Sequence, residues 1–157
     1  MEFSKYTILV VDDEELIRNF VVTLLSRVGH SCVTAKDGVD ALDKMKGTKF
    51  DAVITDIKMP EMDGIILIRE ISKQNPQLPV MVMTAFDEEY SAGTAISCGA
   101  REFIVKPFSP DEFVIRFHKM IKDSETIKQM EKEEDGEGNI QDFINELEAT
   151  AKRNGGS

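Results

Sequence analysis

The sequence predicts an α/β fold: a five-stranded parallel sheet, doubly wound, followed by a C-terminal helical extension. Two observations carry that prediction. Five short apolar, β-branched runs recur through the first two thirds of the chain, and amphipathic helical periods separate them. Strand–helix alternation repeated five times requires parallel strands joined by right-handed crossovers, which places helices on both faces of the sheet.

Taken in order, the first run is Thr7-Ile8-Leu9-Val10-Val11. Leu16, Ile17, Phe20, Val21, Leu24, Leu25 and Val28 then recur at the spacing of one helix face, and Gly29 supplies the stop. The second run is Ser31-Cys32-Val33-Thr34-Ala35, with a helix over about Gly38 to Lys46 ended by Gly47. Ala52-Val53-Ile54-Thr55 is the third run, and a helix over about Gly64 to Ser72 follows it. The fourth, Val80-Met81-Val82-Met83-Thr84, leads to a helix from roughly Asp87 to Cys98 that Gly99 stops. After the fifth run, Glu102-Phe103-Ile104-Val105, a helix opens at Ser109-Pro110-Asp111-Glu112: a Ser cap, Pro in the first turn, Glu at the capping-box position. Its apolar stripe is Phe113, Val114, Phe117, Met120 and Ile121. Unbroken apolar runs of this length suit strands buried on both faces.

The chain has 157 residues, enough for one domain of ordinary size with a short appendage. Its 19 Lys+Arg against 29 Asp+Glu give a formal charge of −10, which argues against nucleic acid or anionic lipid, whose phosphates require clustered cations. No apolar run approaches the roughly 20 residues of a membrane span, and Met1-Glu2-Phe3-Ser4 is unlike a signal peptide. Cys32 and Cys98, with no CxxC or Cys/His cluster, suit reduced thiols. The expected location is the cytoplasm.

In parallel α/β sheets ligands bind at the carboxyl ends of the strands. There this chain places Asp12 and Asp13 after the first strand, Asp56 after the third, Thr84 at the end of the fourth, and Lys106-Pro107 after the fifth. Three converging carboxylates repel one another unless a cation joins them, and hard oxygen donors at a hydrated edge suit Mg²⁺. A metal, an ammonium and a hydroxyl around one carboxylate are the parts that stabilise a transferring phosphoryl group, which makes Asp56 the nucleophile. Each residue also has a plainer reading. Asp12 and Asp13 precede a helix and could cap it; Asp56 could be a turn residue, Thr84 an ordinary strand threonine.

Four segments resemble the response-regulator receiver domain of two-component signalling: Ile8 to Glu14, Asp56 to Gly64, Met83-Thr84-Ala85, and Gly99-Ala100 through Val105-Lys106-Pro107-Phe108. Each alone is a weak signal; all four, in order and at the expected strand ends, are specific. The resemblance covers residues 5–122 and implies a flavodoxin-like (βα)5 domain of strand order 2-1-3-4-5. It implies that Asp56 accepts a phosphoryl group from a phosphohistidine of a sensor kinase or phosphotransfer protein. It also implies Mg²⁺ held by Asp13 and Asp56, by Asp12 through water, and by the backbone carbonyl of Lys58. Lys106 would pair with the phosphoryl oxygens, preceding a cis peptide to Pro107. Thr84 and Phe103 would be the switch residues. Many family members carry Tyr at the Phe103 position; Phe lacks the hydroxyl, so the resemblance does not carry over an output step that uses it. Neither Lys58 nor Phe86, at the positions that tune dephosphorylation, is suited to orient water, which implies a long-lived phosphoryl state.

The resemblance makes the chain a signalling phosphoacceptor rather than an enzyme acting on other molecules. Its alternatives are a receiver-fold interaction module acting without phosphorylation, and a phosphorelay intermediate. An aspartyl-phosphate phosphatase would resemble Asp-x-Asp-x-Thr where this chain has Asp12-Asp13-Glu14. The partners implied are the kinase or phosphotransfer protein and an effector protein, with a homodimer as a further candidate. His30 and His118 sit in no metal or phosphosite context; the first is expected in a turn, the second on a helix surface.

Residues 123–157 are expected to be an acidic linker and a short amphipathic helix. Glu131 to Gly138 lacks any apolar residue, whereas Ile140, Phe143, Ile144, Leu147 and Ala151 share one face behind a cap at Asn139. That helix would pack back on the receiver, on a second copy or on a partner, and Asn154 to Ser157 would fray. Residues 1–123 carry 15 Lys+Arg and 20 Asp+Glu, and residues 124–157 carry 4 and 9, so each part holds −5 of the total.

Overall fold

The computed structural model describes residues 5–85, 92–135 and 140–155. In order these form β1 (Thr7–Val11), α1 (Glu15–Arg27), β2 (Ser31–Ala35), α2 (Gly38–Gly47), β3 (Ala52–Asp56), α3 (Gly64–Gln74), β4 (Val80–Ala85), α4 (Ala92–Ser97), β5 (Glu102–Lys106), α5 (Pro110–Asp135) and α6 (Ile140–Gly155). The strands pair in parallel throughout, in the order β2-β1-β3-β4-β5. The chain divides into two units, Met1–Ile121 and Lys122–Ser157.

Side chains alternate across the sheet with the period of two that a strand imposes. On one face Leu9, Val11, Val53, Val80 and Val82 join Ala41 of α2, Leu67, Ile68 and Ile71 of α3, and Ala95 of α4. On the other Ile8, Val10, Ile54, Met81 and Met83 join Val21, Leu24 and Leu25 of α1 and Phe113, Phe117 and Met120 of α5. Two separate cores therefore clamp the three central strands, and Met81 and Met83 serve as core filling. The expectation that all five strands are buried on both faces holds only for β1, β3 and β4. β2 and β5 are half-exposed because strand order places them at the edges, where helices cover less of them.

Helix ends explain the element boundaries. Asp37 and Asp63 cap α2 and α3, each carboxylate accepting an N–H three residues on, from Asp40 at 2.8 Å and Ile66 at 3.0 Å. Gly29, at φ 94°, closes α1 in the left-handed conformation that glycine adopts without steric cost. Ser109 Oγ accepts the Glu112 N–H at 3.1 Å, as a cap should. The reciprocal half of the expected capping box is replaced by another contact, since the Glu112 carboxylate accepts from Arg116 at 3.2 Å. The expected helix at Asp87 is described from Ala92 only; residues 87–91 lie outside the described residues.

α5 continues to Asp135, through the first five residues of the stretch expected to be a linker. Glu131, Lys132, Glu133 and Glu134 are sound helix formers, and Gly136 is the first breaker in that stretch. α6 starts at Ile140, leaving its expected cap Asn139 outside the described residues, and runs on through Gly155 where fraying was expected. Ile144 and Leu147 of its apolar face are exposed. Among the described residues no helix is long and apolar enough to cross a membrane.

Candidate functional site

Parallel pairing brings the acidic residues together. Val11 of β1 lies opposite Thr55 of β3, so Asp12, just past the end of β1, and Asp56, the last residue of β3, emerge side by side. With Asp13 they place one carboxylate oxygen each within 4.8 Å of one another. Asp12 and Asp56 are buried while Asp13 is exposed, so the cluster opens to solvent on the Asp13 side.

Each buried carboxylate is held at both oxygens. Asp12 Oδ1 accepts the Glu14 N–H at 2.9 Å, and Oδ2 lies 3.2 Å from the Lys106 ammonium. Asp56 Oδ1 accepts its neighbour's N–H, from Ile57 at 2.7 Å, and Oδ2 lies 3.0 Å from the same ammonium. Burial pushes the Asp12 carboxyl up to about 6, with the Asp56 charge adding to it against the pull of the Glu14 amide and Lys106. Burial also disfavours the Lys106 ammonium, but Asp56 and Asp12 outweigh it and raise its pKa above the ordinary lysine value. Lys106 is joined to Pro107 by a cis peptide.

The capping role weighed for Asp12 and Asp13 is not filled, since Glu14 is the N-cap of α1 and makes no side-chain cap bond. The backbone of Asp12 is fixed from two further directions. Its N–H donates to the Ala35 carbonyl at 3.2 Å, and its carbonyl accepts from Arg18 Nη1 at 2.7 Å. Behind Asp56, the Gly64 N–H donates to the Ile57 carbonyl at 2.6 Å, and a Cβ on Gly64 would stand 2.2 Å from the Asp56 carbonyl oxygen. Only glycine lets the start of α3 press against the backbone that carries Asp56.

The other expected residues are placed as follows. Thr84 is buried in β4, its hydroxyl donating to the Ala85 carbonyl at 3.1 Å. Phe103 on β5 is half-buried beneath Arg116, whose guanidinium lies 5.9 Å from the ring centroid and also pairs with Glu102 at 3.3 Å. Lys58 is exposed just after β3, and Phe86 lies outside the described residues. Sequence reasoning missed Arg18 as a brace for Asp12, because an arginine six positions along carries no signal of its own. It also left the two histidines apart, although they meet across the fold at 3.0 Å.

The donor set fits Mg²⁺. All three side chains offer hard oxygens, their ligating atoms are close enough to share one ion, and the exposed Asp13 side leaves room for the waters that Mg²⁺ retains. Three carboxylates against one ammonium leave the edge of the sheet short of positive charge, which such an ion supplies.

A β2-β1-β3-β4-β5 sheet with an acidic cluster and a lysine at its carboxyl edge defines a receiver-type α/β domain. Residues 8–118 match the family model for the response regulator receiver domain, and the chain belongs to that family of signalling modules. It is 37% identical over 118 residues to the alkaline phosphatase synthesis transcriptional regulatory protein PhoP of Bacillus subtilis, covering 75% of this chain and 49% of that protein. Its fold is similar to the crystal structure of NtrX from Brucella abortus, with a TM-score of 0.79 and 34% identity over 82% of this chain and 30% of that one. The isolated receiver domain of that NtrX gives 0.70 and 38% over 73% and 98%. The chain spans about half the length of the curated relatives it matches.

Proposed function

We propose that this chain is a Mg²⁺-dependent phosphoacceptor that takes a phosphoryl group onto Asp56 from a phosphohistidine and signals by a change of conformation. The observation that carries the reading is the single ammonium of Lys106 set between Asp12 and Asp56, with Asp13 beside them.

A carboxylate oxygen of Asp56 attacks the phosphorus; the P–N bond to the donor imidazole breaks as the new O–P bond forms, and the leaving imidazole takes up a proton from solvent. The Ile57 amide and the Lys106 ammonium fix the plane of the Asp56 carboxylate before attack. As charge builds on the phosphoryl oxygens, Lys106 is already beside them and can exchange its bond to Asp56 for one to the new anion. Asp13 and Asp56 with the Lys58 carbonyl, and Asp12 through water, would hold Mg²⁺ here, and the ion would supply further positive charge to those oxygens. Thr84 and Phe103 are the proposed switch: the Thr84 hydroxyl leaves the Ala85 carbonyl for a phosphoryl oxygen, and Phe103 repacks under Arg116. The partners on this reading are a sensor kinase or phosphotransfer protein in the cytoplasm and an effector that distinguishes the two states.

Incubation with acetyl phosphate or beryllofluoride, with and without Mg²⁺, tests it. Modification of wild type that requires Mg²⁺ and is lost in Asp56→Asn is expected. An equal response from Asp56→Asn, or none from wild type, overturns the reading.

A further inference from the structure

His30 lies in the turn between α1 and β2 and is 4% exposed; His118 is on α5, and their Nε2 atoms are 3.0 Å apart. The partners assign the tautomers. His30 Nδ1 accepts the Tyr6 N–H at 3.3 Å, so the His30 hydrogen is on Nε2 and is donated to His118 Nε2. His118 then carries its hydrogen on Nδ1, the atom left for its bond to the Val114 carbonyl. The result is one directed chain, Tyr6 N–H to His30 to His118 to the Val114 carbonyl. Both imidazole lone pairs in it are already used as acceptors. An added proton must therefore break a bond: on His30 Nδ1 it displaces the Tyr6 amide, and on His118 Nε2 it meets the His30 hydrogen.

We propose that His30 and His118 form a proton-sensitive latch that ties α5 to the α1–β2 turn and to the head of β1 while both rings are neutral, and lets go when either is protonated. The latch sits at the amino edge of the sheet, opposite Asp56, and is independent of the phosphoacceptor reading. Its surroundings favour the neutral state. Tyr6 and Phe117 pack on the His30 ring with centroids at 5.2 and 5.6 Å, and the two imidazoles are 5.3 Å apart, so charging both would set like charges in contact. The titratable and charged groups near the pair on the packed elements are Lys5 and Tyr6 before β1, Arg27 at the exposed last turn of α1, Cys32 on β2, and Arg116, Lys119 and Lys122 within four positions of His118 on α5. The Val114 carbonyl, which accepts from His118, favours the charged form of that ring and opposes burial. Burial lowers both pKa values, and the His118 charge lowers that of His30 further. The sign follows: the unfolded rings bind protons near the ordinary 6.5 and the folded ones only below it, so the latch is whole above about 6.5 and its contribution is lost as pH falls.

The test is an NMR titration of the full chain from pH 8 to 5, following the histidine ring protons and the exchange protection of the Tyr6 amide. Both rings should titrate below the ordinary value, and Tyr6 protection, corrected for intrinsic rate, should fall about tenfold or more with the same midpoint while Leu9 in β1 holds. Asn can accept the Tyr6 N–H in place of Nδ1, and Gln can accept in place of Nε2, with neither titrating. The double variant His30→Asn/His118→Gln should therefore keep Tyr6 protection flat across the range. Rings that titrate at or above 6.5, or wild-type Tyr6 protection that does not change, overturn the latch. So does an equal loss in the double variant; should that variant not fold, the wild-type titration alone decides.

Discussion

Lys106 Nζ lies 3.0 Å from Asp56 Oδ2, although β4 stands between the strands that carry the two residues. The two side chains and the contact between them together span two inter-strand spacings, about 9–10 Å. The lysine side chain is 18% exposed, and its ammonium lies between two carboxylates whose side chains are less exposed still. The pair thus joins β5, an edge strand, to the centre of the sheet at the position where charge must be balanced.

Removing that charge should cost stability before it costs chemistry. In Lys106→Met, Asp12 and Asp56 remain buried together with no cation between them. Losing one partner of a buried ion pair costs about 3–5 kcal/mol, and the partial exposure here brings the expectation to about 2–4. Urea denaturation in EDTA measures the loss, and Mg²⁺ should restore part of it by supplying the missing charge. A variant as stable as wild type in EDTA would show that the pair is not what holds the edge together.

Two glycines separate steric need from mere helix breaking. A Cβ at Gly64 would meet the Asp56 carbonyl oxygen at 2.2 Å and Ile57 Cα at 2.8 Å, both backbone atoms that cannot turn aside. Gly64→Ala should lose about 2–4 kcal/mol and displace Asp56, so acetyl phosphate labelling should fall with it. At Gly47, the last residue of α2, nothing lies within 4 Å of the added methyl. Gly47→Ala should gain about 0.5 kcal/mol by restricting the unfolded chain. Equal effects at the two positions in thermal and labelling assays would refute the distinction.

The same contrast shows what was legible in the sequence. Asp56, Asp12 and Lys106 could be read because each follows an apolar run, and strand ends are where a parallel sheet puts its ligands. The sheet order of β2 and β5 came only with the family resemblance, so their half-exposure could not be read from their apolar composition. Some side-chain contacts leave no trace in spacing: Arg18 reaches the Asp12 carbonyl six positions back, and His30 meets His118 over 88 positions. Helix length past Glu131 was misjudged because a stretch without apolar residues was read as linker, although glutamate and lysine sustain a helix well.

At the start of α5, Ser109 Oγ is the acceptor for the Glu112 N–H, while Glu112 itself turns to Arg116. The cap works here without its reciprocal partner, so Ser109→Ala should cost about 1 kcal/mol and Glu112→Ala no more than a few tenths, as for an exposed helical ion pair. Chemical denaturation of the two variants compares them directly; a Glu112 loss as large as that of Ser109 would restore the full capping box.

Cys32 gives the chain an alkaline dependence of known sign. It packs on β2 against the core formed with α1 and α5, and burial pushes its thiol up to about 11 from the ordinary 9.0. At pH 8 roughly one thiol in a thousand is then the reactive thiolate, against about one in ten for an ordinary cysteine, so Cys32 should alkylate about a hundredfold more slowly in the native chain than after unfolding. Because the folded value is the higher one, the folded state keeps its proton longer. The contribution of Cys32 is present in full below pH 9 and declines as pH rises towards 11. Cys32→Ala lacks the titrating group, so its stability should fall less steeply over that window than wild type. Equal slopes for the two proteins, measured by urea denaturation between pH 8.5 and 10.5, would assign the alkaline loss to other groups and refute the prediction.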